Sequence, residues 1–158
     1  MPLHIRELIS LDVNKIFSNL HARAFSHATE ELERVKLAVT NTVGGAGLTV
    51  TRSEGHHGNP IDIIEFTVED EEGITAFFRR FDKTDLEDLR GSLARRVDEG
   101  CNLFVKVDKQ SAFDGTIRLG KGDDVISVRV KIRAFPARTE LAQRIAHEFL
   151  SQLIESKG

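Results

Sequence analysis

The chain has 158 residues, 40 % of them apolar, and a formal net charge of −3. These are the proportions of an ordinary globular domain with enough length to bury a core, and the overall charge argues against a strong non-specific polyanion binder. No apolar run is long enough to span a membrane, and the single cysteine, Cys101, excludes a disulfide framework, so a reducing, cytoplasmic setting is expected.

Residues 1–17 read as an extension in which Ile5, Leu8, Ile9 and Val13 have the rough spacing of a short helix; a single domain is expected over 18–156. In 20–28, Leu20, Ala22, Ala24 and Ser26 alternate with His21, Arg23, Phe25 and His27, which predicts a strand with one buried face. Thr29 then serves as N-cap to a helix with Glu30 and Glu31 in its first turn. Leu32, Val35, Val39 and Val43 form its apolar stripe, and Gly44-Gly45 end it. Two strands follow at 48–53 and 61–68, joined by the glycine-containing loop Gly55-His56-His57-Gly58-Asn59. Ile74, Phe77, Phe78 and Phe81 predict a helix over 69–81. Thr84 and Glu87 form a capping box for a second helix, with Leu86, Leu89, Leu93 and Val97 on one side. A strand over 101–108 turns Leu103, Val105 and Val107 inward and Phe104, Lys106 and Asp108 outward. A polar, basic connection over 109–122 carries a helical turn and a short strand at 116–119. The last strand and helix come from the stretch 125–140 and its continuation to Ile154.

That last strand is the most informative. Ile126, Val128, Val130 and Ile132 face one way; Arg129, Lys131 and Arg133 face the other, ~6.6–6.8 Å apart. Phosphates of a single nucleic-acid strand repeat at a similar distance, so such a row can follow a backbone. The order β-α-β-β-α-α-β-β-α, with strands in adjacent pairs, predicts a two-layer α+β domain, its sheet mostly antiparallel or mixed and its helices on one face. Arg23-Ala24-Phe25 and Arg133-Ala134-Phe135 echo one another where a strand hands over to a helix.

If the strands of Arg23 and Lys106 flank this one, the open face gathers Arg23, Phe25, Phe104, Lys106, Arg129, Lys131 and Arg133. Cations for phosphates and exposed aromatics for bases are what single-stranded RNA binding needs. The distribution of charge agrees. Residues 101–138 carry eight cations and four anions, while 60–100 carry six cations and twelve anions, and within them 69–99 read as solvated acidic helices. The His56-His57 loop is either a hairpin loop with local hydrogen bonds or a place where backbone and imidazole approach a phosphate or base. Neighbouring residues rarely both reach one ion, so neither a metal nor a cofactor is expected. Ser111 lacks a base at a defined spacing, and neither a nucleophile elbow nor a P-loop is present, so no catalytic residues are assigned.

Three phrases together, AFSHATEELERV, SEGHHGNPIDI and DKQSAFDGTIRLG…DDVISVRVKI, resemble a small archaeal family of predicted RNA-binding proteins and predicted exosome subunits. The resemblance runs over roughly residues 20–153. It implies a fold related to that of the fifth large-subunit ribosomal protein, RNA binding without catalysis, and a place in RNA processing or ribosome biogenesis, with exosome or ribosomal proteins as partners. It carries no residue roles. His27, His56, His57, Asn59, Lys109 and Gln110, within the matching phrases, join the candidate RNA contacts on the strength of their chemistry. The competing expectation is a protein-interaction or dimerisation module that uses the sheet face and the acidic helices.

Overall fold

The computed structural model describes residues 15–27, 31–45, 47–54 and 60–157. Among them, five strands form one sheet: β1 (Phe17–His27), β2 (Thr49–Glu54), β3 (Pro60–Val68), β4 (Asn102–Asp108) and β5 (Val125–Ile132). Six helices accompany them: α1 (Leu32–Val43), α2 (Glu71–Arg79), α3 (Lys83–Gly91), α4 (Leu93–Arg96), α5 (Lys109–Phe113) and α6 (Thr139–Lys157). The strand order is β2-β3-β1-β5-β4 and every neighbouring pair is antiparallel. This is the predicted two-layer α+β architecture. The predicted helical turn after β4 is α5, and α4 is an additional short helix. The predicted strand at 116–119 is reduced to one bridge between Leu119 and Val107.

Alternation decides which face of the sheet is covered. Leu20, Ala22, Ala24 and Ser26 of β1, Leu103, Val105 and Val107 of β4, and Ile126, Val128, Val130 and Ile132 of β5 are all buried. α1 packs over β1 and β3, and the small alanines of β1 let it come close. Its own Val35, Ala38, Val39 and Val43 complete that contact, and Gly44 closes the helix with φ 74°, a left-handed conformation that only glycine adopts cheaply.

A phenylalanine cluster fills the space between β1, α2 and α6. Phe17 stacks on Phe78 at 5.4 Å and meets Phe149 edge-on at 5.0 Å; Phe77 packs edge-on against Phe78 and Phe81 at 5.0 and 5.3 Å. Phe17, Phe77, Phe78 and Phe81 are wholly buried. A tyrosine hydroxyl or indole N–H there would need a partner that these rings do not offer, which gives a physical reason for phenylalanine at these positions. The start of β1 is fixed by Glu71, whose carboxylate accepts from the N–H groups of Ile16 and Phe17 at 2.9 and 3.1 Å.

Several boundaries differ from expectation. The helix expected from Thr84 starts at Lys83, because the Asp82 carboxylate accepts from the Asp85 N–H at 2.8 Å and favours the positive end of the helix. It breaks at Ser92 (φ −119°, ψ 16°), so Val97 lies in an extended bridge to Leu103. α1 starts at Leu32 with Glu31 at the N-cap and no side-chain cap; Thr29 and Glu30 lie outside the described residues. Most of the helix expected in 1–17 also lies outside them. No helix among the described residues is long and apolar enough to cross a membrane.

The two sheet edges differ. β4 is shielded by the bridges from Val97 and Leu119, by the Gly120 N–H on the Lys106 carbonyl (2.8 Å) and by the Arg96 guanidinium on the Phe104 carbonyl (3.4 Å). β2 is exposed along all six of its residues.

Candidate nucleic-acid interface

The antiparallel registers place the outward side chains in rows across the sheet. One row is Thr67, His21, Arg129 and Phe104, on β3, β1, β5 and β4; the next is Thr49, Glu65, Arg23, Ser127 and Lys106; a third is Asn19, Lys131 and Asn102. Strands are about 4.8 Å apart, so the row from Thr67 to Phe104 spans roughly 14–15 Å. β1, β5 and β4 are therefore adjacent, and Arg23, Phe25, His27, Phe104, Lys106, Arg129 and Lys131 share one face. Phe25 and Phe104 keep 41 % and 45 % of their surface exposed on it, although either ring would gain from burial.

The cations on this face are not equivalent. Arg129 makes no hydrogen bond or ion pair among the described residues, so its guanidinium stands in solvent between His21 and Phe104. Arg23 lies 5.7 Å from the Phe25 ring centroid and 3.8 Å from the Glu65 carboxylate. Glu65 also accepts from, or pairs with, His21 Nε2 at 2.8 Å. Lys106 reaches the Gly122 carbonyl at 3.3 Å, and Lys131 donates to the Gly100 carbonyl. Each of these two contacts is to a carbonyl dipole and not to a carboxylate. The pairing of Glu65 with His21 has no signal in the sequence; only the register between β1 and β3 brings them together.

The Gly100 carbonyl that holds Lys131 belongs to a turn built on Asp98. Its Oδ1 accepts from the N–H groups of Gly100 and Asn102, each at 2.9 Å, just before Cys101, a buried residue at φ 62°. The hydrogen bond from the Asn102 backbone, with smaller help from the Asn102 amide, the Gly100 N–H and Lys131, holds the Asp98 carboxyl below its usual range against a modest opposing effect of burial. Asp98→Ala is expected to cost about 1–2 kcal/mol in chemical denaturation. The folded carboxyl titrates below the unfolded one. Its contribution is therefore complete above the ordinary carboxylate range and is lost as pH falls through the lowered folded value. Wild type and variant should converge in acid; a constant gap down to the acid limit would show that the carboxylate is not the cause.

Two predicted contacts lie elsewhere. Arg133 falls just past β5. Its N–H donates to the Ile16 carbonyl (2.7 Å), its guanidinium reaches the Lys15 carbonyl (3.5 Å), and it lines a hollow with Ile145, Glu148 and Phe149 of α6. The bulge in the β1–β5 pairing between Phe17 and Asn19 ends the regular alternation there, so the row of cations on β5 is Arg129 and Lys131. Lys109 is only 4 % exposed; its ammonium donates to the Phe25 carbonyl and pairs with Asp124, both at 2.9 Å. It clamps β1 to the entry of β5. The Asp124 carboxyl lies below its usual range, chiefly through that Lys109 hydrogen bond, with the Gln110 amide and His27 adding to it. Asp108 caps α5 by accepting from the Ser111 N–H and hydroxyl at 2.9 and 2.7 Å. The Asp-Lys-Gln motif thus joins β1, β4, α5 and the start of β5, with His27 beside it at the end of β1. His56, His57 and Asn59 lie outside the described residues.

The described residues contain no group of three or more His, Cys, Asp or Glu able to hold a metal ion. What they assemble is an open, cation- and aromatic-bearing β-sheet face backed by helices. A family model described as RNA binding matches residues 19–132, and the chain belongs to that family. It is 31 % identical over 150 residues, 84 % of this chain and 92 % of the other, to the RNA-binding protein PAB1135 of Pyrococcus abyssi. Among solved structures it is similar to Mth689, a DUF54 protein from Methanothermobacter thermautotrophicus, with TM-score 0.72 and 29 % identity, covering 85 % of this chain and 98 % of that one. It is also similar to AF2318 from Archaeglobus fulgidus, with TM-score 0.72 and 27 % identity, covering 84 % and 99 %.

Proposed function

We propose that the uncovered face of β1, β5 and β4 binds single-stranded RNA without catalysing a reaction on it. The observation that carries this reading is Arg129, a guanidinium with no partner among the described residues, set in one cross-strand row with exposed Phe104. Arg129, Lys131, Lys106 and Arg23 meet phosphates, while Phe104 and Phe25 give bases a stacking surface. Family membership supports the class of ligand. The role is accessory to RNA processing, in an exosome or ribosome-biogenesis setting, on a fold related to that of the fifth large-subunit ribosomal protein. The motif resemblance is what supports these finer statements.

Phe104→Ala in a filter-binding assay with a single-stranded decamer tests the stacking half of the reading. Loss of one stacked base costs about 1–3 kcal/mol, roughly 5- to 150-fold in affinity. Nearly half of the ring is already exposed, so the melting temperature should barely move. Unchanged affinity would remove Phe104 from the site. Sedimentation of the free protein addresses the competing occupant of this face: a tight dimer that buries Phe104 and Arg129 would replace the RNA reading with a homodimer interface.

A further inference from the structure

A second recess lies round the end of the sheet from Phe25, between α1 and α5. It is a cleft of ≈ 340 Å³ lined by Glu31, Arg34, Val35, Lys109, Gln110 and Phe113, within the size range of small-molecule sites. Its residues come from two stretches almost eighty positions apart, and the Asp-Lys-Gln motif supplies two of them. The Asn41 amide, donating to the Ala112 carbonyl at 2.8 Å, locks the two helices together. The cleft is thus built by tertiary contacts and does not depend on one loop.

Its distinctive feature is a cation seated over an aromatic ring. The Arg34 guanidinium lies 3.9 Å from the centroid of the Phe113 ring, and Arg34 forms no ion pair with any described residue. The ring occupies one side of the guanidinium; a planar π-system fits the other, as unpaired bases stack on arginine. Charge decides between base and phosphate. Lys109 is already engaged by Asp124 and the Phe25 carbonyl, and Glu31 places a carboxylate at the rim, which repels a phosphate. Gln110, whose amide also reaches Asp124, keeps an amide oxygen for the edge of a base, and the Glu31 carboxylate accepts from a base's amino group.

We propose that this cleft is a nucleobase pocket that takes one unstacked base from an RNA strand, with Arg34 between Phe113 and the base. This deepens the RNA reading above and rests on it. The Lys109 bond to the Phe25 carbonyl places the pocket beside one end of the open face, so a strand leaving Phe25 can turn its next base into it.

The test is an NMR titration of the full chain with adenosine, with ribose 5-phosphate in parallel and the decamer as a third ligand. Adenosine should shift the amides of the first half of α1 and of α5, and ribose 5-phosphate should not. Arg34→Met keeps a side chain over Phe113 but removes the plane and charge. It should leave melting unchanged, weaken adenosine binding about tenfold and weaken the decamer about fivefold. Ribose 5-phosphate shifting the cleft as strongly as adenosine would overturn the base assignment. No adenosine shift, with the decamer still bound through Arg129, would overturn the pocket and leave the RNA reading intact. A decamer that binds nowhere would remove both.

Discussion

Arg129→Ala combined with Lys131→Ala is expected to reduce the slope of log affinity against log salt by about 1.4 units, about 0.7 for each single-strand phosphate left without its cation. Extrapolated from 1 M to 0.1 M salt, that is about a 25-fold loss of affinity at the lower concentration. The effect follows from the state of these two cations. Arg129 has no partner to give up among the described residues, and Lys131 gives up a carbonyl and a through-space attraction to Asp98. Neither has to break an ion pair before meeting a phosphate, whereas Arg23 must first loosen from Glu65. Arg23→Ala should therefore change the slope less than Arg129→Ala. Arg129 and Lys131 both project from β5 on its solvent side, so the double variant should melt as the wild type does. A filter-binding series across salt concentrations with an unchanged slope would mean that phosphates do not lie along β5.

The largest loss of stability is expected from Lys109→Ala. Nearly all of this side chain is buried, and its ammonium satisfies the Phe25 carbonyl. Truncation removes the packed stem and leaves that carbonyl unpaired, together about 2–3 kcal/mol. Asp124 is largely exposed, so its lost pairing adds little. For a chain of this length the melting temperature should drop by about 4–12 °C in calorimetry. Lys109→Met keeps the stem and should lose roughly half as much. The depressed Asp124 carboxyl gives wild type a contribution that is present above the unfolded carboxylate range and lost as pH falls through its folded value; Lys109→Ala should lack it. A variant with unaltered melting but weakened RNA binding would make Lys109 an RNA contact and not a clamp.

Lys131 and Lys109 show what the sequence can and cannot disclose. Lys131 is legible because strand alternation is a local rule: Val130 and Ile132 turn inward, so Lys131 turns outward. The same rule places Arg23, Phe25, Phe104, Lys106 and Arg129 on one face once the strands are neighbours. Lysine in a polar connection is usually solvated, which makes Lys109 resemble an RNA contact in the sequence. Its burial depends on the Phe25 carbonyl, 84 residues away in the chain. Arg133 departs from expectation for a related reason: alternation holds only while the strand does, and β5 ends at Ile132. The pairing of His21 with Glu65 and the stacking of Arg34 on Phe113 are likewise products of tertiary register. The long helix expected through Val97 misleads because Leu86, Leu89, Leu93 and Val97 keep an apolar spacing across the break at Ser92.

Chemical-shift mapping of the full chain with an unlabelled single-stranded RNA decamer tests the central claim most directly. The expected result is a contiguous set of shifts along β1, β4 and β5, centred on Arg129 and Phe104 and reaching Phe25, with α3 and α6 unmoved. Shifts confined to α3 and α6, with the Arg129 and Phe104 amides unchanged at saturation, would contradict it.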